Sequence, residues 1–286
     1  MSGTPQRVWL VTGASSGFGR AITEAAVAAG DVVVATARRT GPLQELADAY
    51  PDQVESLALD VTDTGAAAAT VADVLARYGR IDVLVNNAGR GQVGAAEETT
   101  EDELRALFDL HVHGPAALVR AVLPGMRQRR SGAVVQISSF GGQVAYPGFS
   151  AYCATKFALE GYSEALAAEV APLGIRVLVV EPGAFRTSFS GGGLHESEPI
   201  AAYEATVGPI RRMIKGIDGT QPGDPGRAAT AILRALDAAD TPLRLPLGDD
   251  AVDGILAHLE QVGDELRAWE HVSRSTAYLE PVHSGV

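Results

Sequence analysis

Tyr152 and Lys156 lie four residues apart in "SAYCATKFALEGYSEALAAEV", a stretch whose apolar residues recur at helical spacing. Residues i and i+4 share one helix face. A free tyrosine has a pKa of ~10 and is a poor base at neutral pH. Lowering it by ~2 units takes ~2.7 kcal/mol. An ammonium ~4 Å away, at an effective dielectric of ~20, supplies ~4 kcal/mol. The spacing therefore predicts a phenol made into a proton carrier by its neighbouring cation. The plainer alternative is two surface residues covering a helix face. Ser139 ends the run "GAVVQISS", thirteen positions before Tyr152. Taken alone, its hydroxyl reads as a turn cap. Strand alternation points the adjacent Ser138 the other way.

A second constellation opens the chain. "VWLVTGASSGFGRAI" reads as a strand, a glycine-rich turn and a helix. Gly13 permits the tight turn, and Gly17 and Gly19 let backbone amides approach a pyrophosphate at the helix N-terminus. The spacing is G-x-x-x-G-x-G, and a lone turn of this kind is weak evidence. Here "NNAG" (86–89) also follows the fourth strand, and "YCATK" follows the fifth. Three such matches at strand C-terminal ends carry far more than one.

These residues need a frame. Short β-branched runs recur at 7–12, 31–37, 54–61, 81–87, 132–139 and 175–182, with Ala/Leu-rich helical stretches between them. Near-continuous apolar strands separated by helices predict a parallel sheet covered on both faces. With right-handed crossovers this becomes an α/β, Rossmann-type, doubly wound and mainly parallel seven-stranded sheet, the last strand being "PLRLPL" (242–247). Thr100 and Glu103 have capping-box spacing, and Gly30 and Gly174 stand where helix C-caps belong. Residues 1–286 are expected to form a single domain. It carries a mobile substrate lid at about 188–225, rich in Gly, Pro and Ser, and an acidic helical tail at about 249–286.

Bulk composition excludes some classes. The 286 residues are 46% hydrophobic, enough for one large core. The net charge of -12 argues against nucleic acid or an anionic membrane as the main partner. The single cysteine, Cys153, permits no intrachain disulfide and fits a reducing compartment. There is no signal-like start and no run of ~18 apolar residues. A soluble cytoplasmic protein is expected.

Together, T-G-A-S-S-G-F-G at Thr12 to Gly19, N-N-A-G at Asn86 to Gly89, Ser139, Tyr152 and Lys156, and P-G-x-x-x-T at Pro182 to Thr187 resemble the short-chain dehydrogenase/reductase family. The motifs span residues 7 to about 190, and the stretch around Tyr152 is also similar to the hydroxysteroid and retinol dehydrogenase branch. The resemblance implies that Tyr152 exchanges a proton with the substrate oxygen, and that Ser139 hydrogen-bonds that oxygen. Lys156 would hold the nicotinamide ribose and tune the tyrosine. It also implies a cofactor cradle at Gly13, Ser15, Ser16, Gly17, Phe18 and Gly19. Further contacts are expected from Asp60 and Val61 at the adenine, and from Asn87, Ala88 and Gly89 beside the cofactor, Asn87 having a second reading as a brace for the central strand. Pro182, Gly183, Phe185 and Thr187 would stand at the nicotinamide. The family's acidic position after the second strand falls on Ala37, and Arg38 and Arg39 follow at once. An acid there would repel a 2′-phosphate, whereas an arginine fork matches one, so NADP(H) is expected.

One position departs from the pattern. Where the family commonly has an asparagine that helps hold a relay water, "FDLHVHG" places His111. The imidazole is expected to keep that water site and relay protons itself, since it titrates near neutrality. The alternatives are an impaired relay, or a cofactor site that outlives the chemistry. His111 and His113, at i and i+2, do not form a metal pair, and no metal is expected. The leading expectation is an NADP(H)-dependent enzyme interconverting a carbonyl and an alcohol on a hydrophobic small molecule, working as a homodimer or homotetramer. The alternatives are an NAD-dependent secondary-alcohol dehydrogenase and a non-catalytic NADP-binding protein.

Overall fold

A computed structural model describes residues 6–189 and 191–278. The last eight positions of the expected tail, 279–286, lie outside the described residues. The core is a seven-stranded sheet in the order β3-β2-β1-β4-β6-β7-β9, parallel throughout. Its strands are β1 (Val8–Thr12), β2 (Val32–Ala37), β3 (Val54–Ala58), β4 (Val83–Asn86), β6 (Gly132–Ile137), β7 (Ile175–Pro182) and β9 (Arg244–Leu247). The chain order reverses between β1 and β4. Both strands end at one edge, where a doubly wound sheet opens its ligand crevice.

The strands are apolar on both sides because both sides are covered. On one face Trp9, Val11, Val33 and Val85 pack against Ile22 of α1 (Gly17–Ala28), Leu43 and Leu46 of α2 (Gly41–Ala49), and Ile232 and Leu236 of α8 (Pro225–Asp237). On the other, Leu10, Val34, Leu84 and Val134 meet Val71 of α3 (Thr64–Tyr78), Leu118 and Val122 of α5 (Gly114–Arg129), and Leu166 of α6 (Ser150–Val170). The expected third strand stops at Ala58, where its partner β2 ends at Ala37. Gly30 and Gly174 take φ of 91° and 73°, as C-cap glycines do.

Two features escape sequence patterning. The helix expected before His111 is α4 (Glu101–Phe108) running into a π-turn, Asp109–His113, and then into α5. Regular elements run through the described part of the 188–225 segment. It contains β8 (Leu194–Glu196), paired parallel with β5 (Gly91–Val93), and α7 (Gly208–Gly216). Arg211 of α7 makes a buried ion pair with Glu98 at 2.8 Å. The capping box of α4 reaches the same segment: Glu103 caps with Thr100 and also meets His195 at 2.7 Å. The last helix, α9 (Asp249–Arg274), follows β9. Among the described residues no helix is long and apolar enough to cross a membrane.

Candidate active site

The turn after β1 is shaped for close backbone approach. Gly13 and Gly17 have φ of 64° and 54°, a region open to glycine at little cost. A Cβ on Gly19 would sit 2.4 Å from the Gly13 carbonyl and 2.5 Å from Asn87 Nδ2. The Ser16 hydroxyl faces Ser188 at 3.4 Å rather than capping α1, so the first amides of that helix stay available to an anion. Ser15 and Phe18 are half-buried in the same turn, and the Phe18 ring lies 5.1 Å from that of Phe185. Thr187 stands across the turn, its Cβ 3.2 Å from where a Gly17 Cβ would be. Gly89 borders His111, and Pro182 and Gly183 end β7 beside this crevice.

Asn87 takes the bracing role, one of the two expected of it. Its side-chain amide donates to the carbonyls of Thr12 and Gly13 at 2.8 and 3.1 Å. The donors that would serve a cofactor are already engaged, so Asn87 braces the turn. Thr12 Oγ1 completes the brace by accepting from the Asn87 and Ala88 amides. At the far rim, Arg38 and Arg39 are exposed just after β2, with Asp60 exposed nearby and Val61 buried beneath. Burial opposes ionisation of Asp60, but hydrogen bonds from Thr62 and the charge of Arg38 outweigh it and hold the carboxyl below its usual range. An uncapped helix start, a glycine cradle and an exposed arginine pair beside one carboxylate fit a dinucleotide carrying an extra phosphate.

Ser139, Tyr152 and Lys156 come together at the ends of β6 and α6. A Cβ on Gly141 would be 3.3 Å from Tyr152 Cε1 and 3.5 Å from Ser139 Oγ, so the two side chains flank one glycine. Ser139 Oγ accepts from the Gly141 amide at 3.0 Å. Lys156 Nζ lies 5.7 Å from the Tyr152 ring centroid and donates to the Ile137 carbonyl at 2.9 Å. The two serines diverge as alternation predicts: Ser138 Oγ lies on the Glu160 side of Gly142.

The electrostatics differ from the sequence argument. That argument set an exposed-type phenol against a cation ~4 Å away. Here Tyr152 is 5% exposed, and burial pushes its phenol up by more than the Ser139 hydroxyl brings it down. Burial likewise pulls Lys156 down to about 8, against the attraction of Glu160. Desolvation, which disfavours the charged form of each group, is the largest cause of both shifts. The chain alone therefore holds the phenol protonated, the form that donates.

His111 is placed close by, but not as a titrating relay. Its ring is edge-on to Tyr152 at 5.7 Å and only 1% exposed. Nε2 accepts from the Arg90 amide at 3.2 Å, and Nδ1 meets Thr155 Oγ1 at 2.8 Å. Thr155 Oγ1 donates onward to the Tyr152 carbonyl at 2.8 Å. This network assigns a neutral ring protonated at Nδ1. Burial first, then the charges of Lys156 and Arg90, hold its pKa well below 6.5. Both nitrogens are committed and the ring does not charge near neutrality, so the expected relay role gives way to one of position.

Val93 and Val207 at this site lay beyond sequence reasoning. Phe149, Tyr152, Phe189, Val93 and Val207 form an apolar cluster that roofs the site, with Phe189 5.6 Å from the Tyr152 ring. Phe140 stacks on Tyr146, their ring centroids 6.1 Å apart, and also packs against Gly254 of α9. Asp250 of α9 accepts from the Ala184 amide at 2.7 Å, tying the C-terminal helix to the loop after β7. No local pattern in "LGDDAVDG" carries that contact. Among the described residues, no group of three or more His, Cys, Asp or Glu could hold a metal.

A parallel doubly wound sheet with a phosphate-ready turn and a Ser–Tyr–Lys site defines a nicotinamide-type oxidoreductase. The short chain dehydrogenase family model matches residues 7–196, and the chain belongs to the short-chain dehydrogenase/reductase family. It is 63% identical to a short-chain dehydrogenase of Streptomyces avermitilis whose crystal structure is known, with a TM-score of 0.91 over 97% of this chain and 100% of that one. It is 38% identical to oxidoreductase BOA17 of Botryotinia fuckeliana strain B05.10 over 95% of this chain and 99% of that protein. The closed form of a serine dehydrogenase complexed with NADP+ is 30% identical, with a TM-score of 0.73 over 84% of this chain and 94% of that one.

Proposed function

We propose that this chain interconverts a carbonyl and an alcohol on a hydrophobic small molecule, with Tyr152 as general acid and base. NADP(H) is the cofactor, and when bound it supplies or accepts the hydride. The glycine turn and the start of α1 would hold its pyrophosphate, Arg38 and Arg39 its 2′-phosphate, and Pro182 to Thr187 its nicotinamide end. In the reducing direction Tyr152 Oη donates its proton to the substrate oxygen while Ser139 Oγ hydrogen-bonds that oxygen. Lys156 biases the phenol and positions the ribose. The buried apolar cluster around Phe149 and Phe189 excludes water and favours an apolar substrate. Residues 1–286 act as one domain, with 188–225 as the substrate lid, in a cytoplasmic homodimer or homotetramer.

The observation carrying this reading is the convergence of Ser139, Tyr152 and Lys156 at the crevice edge of the sheet. A panel of apolar ketones and aldehydes, followed by NADPH absorbance, tests it. Turnover by the wild type and a loss of ~10³-fold or more in Tyr152→Phe, with NADPH binding retained, is expected. NADPH binding without turnover of any carbonyl, by wild type and variant alike, would leave a nucleotide-binding protein in its place. Arg38→Asp should raise the dissociation constant for NADPH by ~10- to 100-fold and leave that for NADH almost unchanged. Equal NADPH affinity before and after the change would refute the assignment to Arg38.

A further inference from the structure

Helix α9 is ~39 Å long at 1.5 Å per residue, yet among the described residues it is buried only at its start. Ala251 and Ile255 are buried, and Gly254 lets Phe140 approach. Further along, the side-chain hydrogen bonds of Gln261, Arg267 and Arg274 all stay within the helix. Along this projecting length run Leu256, Leu259, Val262, Leu266, Trp269 and Val272, exposed by 62, 55, 43, 67, 65 and 41%. With Val252 they expose on the order of 700 Å², above the patches usual on a monomer and near the ~800 Å² per partner of a standard interface. The helix also has two unlike halves. Its first half walls a groove of about 510 Å³, with Val252, Ile255, Leu256 and Leu259 on one side and Gln143, Glu181, and Arg244 and Pro246 of the edge strand β9 on the other. Its second half carries the large projecting side chains, Leu266 and Trp269.

We propose that α9 pairs antiparallel with α9 of a second copy, so that each copy's Leu266 and Trp269 fill the other's groove. A two-fold axis near Val262 and Gly263 satisfies both grooves at once, as an isologous contact requires. A parallel pairing would set Trp269 against Trp269 and leave both grooves open. Charge favours the same direction. The helix carries seven Asp and Glu but only Arg267 and Arg274, both in its second half. With the axis near Val262 and Gly263, antiparallel pairing sets Arg274 opposite the partner's acidic start, at Asp249, Asp250 and Asp253, whereas parallel pairing sets acidic start against acidic start. Because Asp250 and Gly254 touch the loops bearing Ala184 and Phe140, the contact would steady the wall of the active site as well.

Light scattering and sedimentation of the full chain test this. The wild type is expected at twice the 29.7 kDa chain mass or a higher even multiple. Leu266→Asp with Trp269→Asp should halve that mass and weaken association ~100-fold or more. These positions are exposed, so an unchanged circular dichroism spectrum is expected. Tryptophan emission gives a second reading, because Trp9 is fully buried and Trp269 is 65% exposed in the single chain. Dilution of the wild type through dissociation should shift emission to the red, and the shift should vanish in the double variant. A wild type that stays monomeric at tens of micromolar, or an assembly whose mass the double variant leaves unchanged, overturns the proposal. So does a monomer that floats with phosphatidylcholine vesicles only while Leu266 and Trp269 are intact, which would assign the stripe to a lipid surface.

Discussion

Helix α6 separates two buried polar neighbourhoods built on different principles. Toward α5, Tyr152, Thr155 and His111 form a neutral chain in which each group has a fixed donor or acceptor role. Toward β7 and β9, Lys156, Glu160, Glu181 and Arg244 form a charged cluster. Arg244 lies 3.3 Å from Glu160 and 3.5 Å from Glu181, and Gln143 donates to Glu181 at 2.9 Å. The neutral side is satisfied bond by bond. The charged side is not, since Glu160 Oε1 has no partner among the described residues. Burial and repulsion from Glu160 push Glu181 up to about 7, and burial also raises Glu160. The neutral flank fixes geometry around the phenol. The charged flank stores protons one helical turn from the lysine, and pays for this in stability.

After Tyr152→Phe, the largest effect should come from Lys156, which faces both neighbourhoods. Lys156→Met removes the cation next to the phenol, and turnover should fall by ~10²- to 10³-fold. Stability should move the other way. The folded-state pKa of Lys156 is depressed from 10.5 to about 8, so its burial cost is absent above about 10.5 and complete once the pH falls below about 8. At pH 7 the variant should therefore melt several degrees higher, with less gain at pH 9.5. An equal or lower melting temperature at pH 7 would mean that Glu160 compensates the ammonium in full.

Glu181 offers a subtler break. Its folded pKa is raised from 4.5 to about 7, so between these values the folded chain holds a proton that the unfolded chain has released. The resulting stabilisation is complete below about 4.5 and is lost as the pH rises through about 7. With sharing between the two carboxyls, this amounts to about 1–3 kcal/mol. Wild-type melting temperature should fall between pH 5 and 8 more steeply than that of Glu181→Gln. Parallel curves would show that the cluster titrates as ordinary surface carboxylates do.

The two sides of α6 were not equally legible in the sequence. The sheet, the glycine turn and the Tyr152–Lys156 pair were readable, because each rests on local spacing or on a backbone conformation that only certain residues allow. Ala37 followed by Arg38 and Arg39 is local in the same way. The charged cluster was not readable: Glu160, Glu181 and Arg244 come from three distant elements, and nothing in "LEGY", "VVEP" or "PLRLP" announces their meeting. Strand β8 and the Asp250 contact are hidden for the same reason. The placement of Tyr152 was legible, but the upward push of burial on its phenol was not. Spacing can give the neighbour of a group, but desolvation depends on everything folded over it, here Phe149 and Phe189.

His111 gives the smallest and most diagnostic effect. If the ring serves position, His111→Asn should lower turnover by less than ~10-fold, since an amide can still accept from Arg90 and donate toward Thr155. The wild-type pH–rate profile should show no limb at ~6.5, the ordinary histidine value, because the buried ring stays neutral through that range. Nitrogen chemical shifts of the ring should report an Nδ1–H tautomer that does not change between pH 6 and 8. If a limb at ~6.5 is present in the wild type and disappears in His111→Asn, the imidazole is a titrating relay after all, and the neutral flank of α6 would take part in proton transfer rather than only in holding the phenol in place.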